Sequence, residues 1–113
     1  MHELSIVMSI VDIATREAAR EGATVIEEIE LEIGRLSTIE PDALEFAWQQ
    51  GVKATPLANA RKVIHYLDGQ GNCPDCGISF PVKELFDACP VCGEHLIEIT
   101  RGKELRVRSL IVS

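Results

Sequence analysis

The segment CPDCGISFPVKELFDACPVCG limits what this chain can fold into more than any other part of it. It holds all four cysteines in two matched Cys-Pro-x-Cys-Gly turns, Cys73/Cys76 and Cys89/Cys92, with twelve residues between the pairs. A two-residue gap lets both sulfurs of one turn reach a single ion. The glycine that follows relaxes the backbone, so that amide N–H groups can point at the thiolates. Two such turns complete a tetrahedron of four sulfurs, the ligand set of structural zinc, and a closed shell of this kind leaves no position for a catalytic water. A redox dithiol needs one pair at a helix start, not two matched turns. Iron is the rival ion, since rubredoxins use similar knuckles, but they separate them by a longer, aromatic-rich segment that this chain lacks. Only Phe80, Leu85, Phe86 and Val91 offer a local core, so metal binding is expected to provide much of this region's stability.

The flanking sequence reads as helix and strand. Leu4, Val7, Met8, Val11, Ala14 and Ala18 recur at helical spacing, which predicts a helix from residue 4 to about 20, with these side chains, Met8 included, in the core. In VIEEIELEIG, Ile29, Leu31 and Ile33 alternate with Glu28, Glu30 and Glu32, which predicts a strand with one wet, acidic face open to a partner. STIEPDALEFAWQQG predicts a second helix, with Pro41 at its first turn and Leu44, Ala47 and Trp48 inward. KVIHYLD and KELRVRSLIV predict two more strands, His65 being structural in the first, and the glycine-rich DGQGN marks a boundary. The expected fold is α+β: a two-layer domain of two helices and a three-stranded sheet, with an inserted four-cysteine zinc-ribbon-like domain. The first domain is discontinuous, 1–70 and 101–113, and the insert is 71–100.

The net charge of −7 is concentrated early: residues 1–40 hold nine acids against three basic residues. A polyanion would have to approach an acidic first half, which disfavours nucleic acid. No segment reaches the roughly 20 apolar residues of a membrane span. The opening has an acid where a secretory signal carries basic residues, and a cytoplasmic protein is expected. No nucleophile–base pair, phosphate loop or open metal site is legible, so an enzyme is not expected.

The chain opens MHELS. A free terminal amine, the His2 amide nitrogen and the His2 ring nitrogen Nδ1 can form fused chelate rings, and the Glu3 amide can complete a square of nitrogens that suits Ni(II) or Cu(II). On composition alone, an exposed, incidental His2 is the commoner reading.

MHELS, EIGRLS at 32–37, the two CPxCG turns and the ending GKELRVRSLIV together resemble the HypA/HybF family of hydrogenase nickel-incorporation proteins. The likeness runs over nearly the whole chain and is weakest through ATPLANARKVIHY. It implies a nickel metallochaperone that works with a maturation GTPase to load nickel into the large subunit of nickel–iron hydrogenase. It further implies nickel bound by Met1, His2 and Glu3, and zinc held by Cys73, Cys76, Cys89 and Cys92. Glu40 occupies a position where some members have an acid near the nickel; its other reading is a helix-start acid. The twelve-residue gap has no room for the histidine-bearing insertion of longer members, and that role does not pass to His95. Neither nucleic acid nor membrane is implied as a partner, and a homodimer stays open. The alternative from another class is a zinc-ribbon adaptor for nucleic acid or a protein complex with no nickel role. It would bind through Lys103, Arg106 and Arg108, too few to form a patch.

Overall fold

The structure is a computed structural model, of which residues 3–113 are described. The elements follow in the order α1 (Glu3–Arg20), β1 (Ile26–Gly34), α2 (Pro41–Gly51), β2 (Arg61–Leu67), β3 (Gly69–Asn72), β4 (Ser79–Val82), β5 (Glu98–Arg101) and β6 (Leu105–Val112). They form two three-stranded sheets, ordered β2-β1-β6 and β4-β3-β5. The chain divides into two compact units. The second takes Ile33–Thr38 and Tyr66–Leu105; the first takes Ile39–His65, Arg106–Ser113 and the segment ending at Glu32.

In the first unit α1 buries Val7, Ile10, Val11, Ala14 and Ala18. The buried stripe is rotated from the one the spacing suggested: Leu4 and Met8 are about half exposed and Ile10 is buried instead. Gly22 ends the helix at a φ of 69°. There the N–H of Ala23 reaches the Ala18 carbonyl at 2.9 Å and that of Gly22 the Ala19 carbonyl at 3.0 Å, a Schellman termination. In α2, Leu44, Ala47 and Trp48 are buried as their spacing predicts. A Cβ on Gly51 would lie 2.6 Å from Val7 Cγ1, so only glycine lets α2 lie this close to α1.

β1 buries Ile29, Leu31 and Ile33 almost completely. Its glutamates do not form a bare acidic face. Glu28 pairs with Arg61 at 3.6 Å, Glu30 with His65 Nε2 at 2.8 Å, and Glu32 with Arg106, so flanking strands supply a partner for each of these three acids. The hydrogen bond to His65 is the main cause holding the Glu30 carboxyl below its usual range. That pair therefore favours the fold above the ordinary carboxylate range and ceases to do so as pH falls through the depressed value.

The second unit is built on β3, which runs antiparallel to both β4 and β5. The glycine-rich segment expected to be a boundary is thus its central strand. Small residues are required there, because a Cβ on Gly69 would lie 2.3 Å from the Val82 carbonyl oxygen. The core is Leu36, Cys73, Phe80, Val82 and Cys89, flanked by Ile78, Leu85, Ile97 and Ile99. Phe86 and Val91 are 86% and 71% exposed and take no part, contrary to the sequence expectation. Leu36 takes up part of that role from a distant stretch of chain, its N–H bonded to the Gly102 carbonyl at 2.7 Å. A Cβ on Gly34 would sit 1.9 Å from that same oxygen. Gly34→Ala is therefore expected to lower stability by about 2–3 kcal/mol, as overpacking does. Urea denaturation followed by hydrogen exchange of the β3 amides measures it.

Candidate metal centre

The two cysteine turns are built alike. In the first, the Cys73 N–H donates to the Ile78 carbonyl at 3.0 Å and the Gly77 N–H to the Cys73 carbonyl at 2.7 Å. In the second, the Cys89 N–H donates to the Glu94 carbonyl and the Gly93 N–H to the Cys89 carbonyl, both at 2.9 Å. Gly77 and Gly93 sit at φ of 70° and 76°, in the left-handed region that glycine alone enters without strain. Asp87 braces the approach to the second turn, accepting the N–H groups of Lys83 at 2.9 Å and Glu84 at 3.2 Å.

These turns bring Cys73, Cys76, Cys89 and Cys92 together with all four ligand sulfurs within 4.8 Å of one another. Cys73 and Cys92 Sγ are 3.6 Å apart. A tetrahedron with metal–sulfur bonds of about 2.3 Å has sulfur edges of about 3.8 Å, so the cluster has the right size for one ion. Among the described residues no other group of three or more metal-binding side chains is this close. Cys73 and Cys89 are buried; Cys76 and Cys92 are exposed.

Electrostatics test the fit further. The Cys89 thiol is lowered to about 7, first by the main-chain N–H of Cys92 and also by that of Val91. Amides aimed at sulfur favour thiolate. The Cys76 thiol, by contrast, is pushed up to about 12, chiefly by its hydrogen bond with the Cys92 side chain. Four sulfurs at these distances cannot all ionise unaided, because each new negative charge opposes the next. A divalent cation among them removes the conflict. The donor set and its geometry fit a metal ion.

The remaining candidates are spread along the first unit. Met1 and His2 lie outside the described residues. Glu3 opens α1 and is buried at 6% exposure, and its carboxylate accepts the Glu40 N–H at 3.3 Å. Glu40 is the N-cap of α2, extended at φ −81° and ψ 119°, and its side chain makes no capping bond. The structure thus joins Glu3 to Glu40 through the Glu40 main chain. His65 is engaged with Glu30, and His95 is exposed. Sequence reasoning missed Leu36 as a buttress of the cysteine unit; its only signal was an apolar residue two places beyond a strand. None of the helices described is long and apolar enough to cross a membrane.

Comparison with known proteins places this architecture. A family described as hydrogenase/urease nickel incorporation, metallochaperone, hypA matches residues 1–112. The hydrogenase maturation factor HypA of Parabacteroides distasonis is 49% identical over 112 residues, covering 99% of this chain and 97% of that one. That of Geobacter metallireducens is 43% identical, covering 99% of both. The solution structure of the Ni metallochaperone HypA from Helicobacter pylori superposes with a TM-score of 0.74 at 26% identity, covering 99% of this chain and 97% of that one. Two helices, two small sheets and four clustered cysteines, matched along almost the full length, make this chain a member of the HypA family of nickel-incorporation metallochaperones of hydrogenase maturation, and not an enzyme.

Proposed function

We propose that the chain carries two metals in different roles. Cys73, Cys76, Cys89 and Cys92 hold a resident Zn(II) with no catalytic position, and Met1, His2 and Glu3 bind Ni(II) as cargo. Zinc supplies charge neutralisation and cross-linking; the chain's own N–H groups and glycine turns orient the sulfurs for it. The observation that carries the nickel assignment is the family match from residue 1, which includes the opening Met-His-Glu.

The donors suit delivery. Glu3 begins α1. Its carboxylate is directed to the start of α2. In this reading Glu3 contributes its amide nitrogen to nickel, beside the terminal amine and the His2 nitrogens, and Glu40 acts through the main chain that Glu3 grips. A recipient can displace such donors one at a time. The recipient is the large subunit of nickel–iron hydrogenase in the cytoplasm, reached with a maturation GTPase. That nickel–GTPase assignment requires neither nucleic acid nor a membrane.

Nickel titration across pH, beside elemental analysis, tests the reading. A terminal amine titrates near about 7.7–8.0 and an imidazole near about 6.5, so protons compete with the metal below these values. Affinity is expected to fall steeply from about pH 8 to about pH 6 while one zinc per chain stays bound. A nickel affinity that does not vary with pH would exclude this donor set. A coloured, iron-loaded protein would exclude the zinc assignment.

A further inference from the structure

Away from the cysteines, the second unit carries a shallow groove of about 390 Å³ lined by Arg35, Asp68, Gly69, Pro81, Val82 and Lys83. A smaller hollow of about 190 Å³ shares Asp68, Gly69 and Pro81 with it and continues to Gln70 and Arg101. Three cations and one acid line the combined surface, in a chain whose net charge is −7. The local sign is opposite to that of the molecule.

The charges are arranged rather than scattered. Arg35 Nε donates to the Asp68 carboxylate at 2.7 Å, and its guanidinium lies 5.5 Å from the centroid of the Tyr66 ring. The single acid is thereby engaged. Arg101 uses Nε to donate to the Asp68 main-chain oxygen at 3.1 Å, which fixes the guanidinium and leaves its terminal amino groups for a ligand. Lys83 makes no ion pair among the described residues. A fixed guanidinium fork and a nearby ammonium match carboxylates. We propose that this groove binds an acidic, carboxylate-bearing segment of a partner protein.

The layout favours a peptide over a small anion. The cations flank two adjoining hollows instead of converging on one point, whereas alternate side chains of an extended peptide recur about every 7 Å. Pro81 and Val82 provide apolar floor for the stems of acidic side chains. Because β4 is an edge strand containing Pro81, main-chain pairing is hindered there and recognition falls to the charged side chains. A nucleic acid would also meet the acidic remainder of the chain. The groove lies wholly within the second unit, and its binding requires no nickel.

The test uses the full, metal-loaded chain and a labelled hexapeptide of alternating glutamate and glycine at low salt. Binding is expected by anisotropy, with amide shifts confined to residues around Gly69, Gln70, Val82 and Arg101. Lys83→Gln with Arg101→Gln should weaken it on the order of tenfold, as loss of complementary charge does. The control pair Arg16→Gln with Lys53→Gln removes the same net charge elsewhere and should change it less than about twofold. The proposal is overturned if both pairs weaken binding equally, if the glutamine analogue binds as well, or if shifts spread over the first unit. Displacement by equimolar inorganic phosphate would make this a simple anion site and also overturn it. So would self-association abolished by the Lys83/Arg101 pair, which would make a second copy the occupant.

Discussion

Nickel affinity is expected to fall on the order of a hundredfold when His2 is replaced by alanine, equivalent to about 2.8 kcal/mol. The substitution removes the imidazole and with it one chelate ring, leaving an amine and amides that hold nickel poorly on their own. Acetylating the terminal amine should cost as much, because it removes that donor while sparing every side chain. The pair of changes separates a joint chelate from a lone histidine ligand. Both should retain the wild-type amide spectrum beyond the first turn of α1, since the apolar side chains that α1 buries begin at Val7 and Glu3 keeps its bond to α2. Isothermal titration of untagged protein with nickel decides it: equal affinities in all three chains would exclude the terminal site.

Loss of the four-sulfur ion should have a larger effect on structure. Cys73 and Cys89 are 0% and 2% exposed and are two of the five buried residues in the core of the second unit. A core of Leu36, Phe80 and Val82 alone is too small to hold β3, β4 and β5 in place. Apparent zinc contributions in comparable small modules run to about 10–16 kcal/mol, more than a unit of this size could lose and stay folded. Chelation, or Cys73→Ser, should therefore abolish hydrogen-exchange protection in β3–β5. Protection should persist in α1 and the β1 residues around Ile29, whose core contains no cysteine. Trp48, buried in the first unit, gives an independent fluorescence signal that should change little. Undiminished protection in β3–β5 after complete metal removal would refute a stabilising ion.

Much of the first unit could be read from spacing. Alternation at Ile29, Leu31 and Ile33 and the inward set Leu44, Ala47 and Trp48 emerge in the structure as the sequence implies, because local period fixes which face is apolar. The cysteine turns were legible because ligand geometry constrains sequence tightly. What escaped depends on contacts between distant residues. Nothing local distinguishes Leu4 and Met8 from Ile10, and which of them is buried depends on where α2 crosses α1. DGQGN looked like a boundary because glycine weakens isolated strands; here its lack of side chains admits Val82 and Ile97. The partners beside β1 lie up to 74 residues away in sequence, so no window on the strand could reveal that Glu28, Glu30 and Glu32 are matched.

Each cysteine turn directs one sulfur inward and one outward. The outward pair, Cys76 and Cys92, contributes one atom from each turn, so any reagent arriving from solvent meets half of each clasp before it can reach Cys73 or Cys89. Exchange of the resident ion would then begin by attack on that outer pair, with the inner sulfurs the last to let go. Its rate should rise with the concentration of the incoming chelator instead of levelling at a spontaneous release rate, and alkylating agents should mark the outer thiols first.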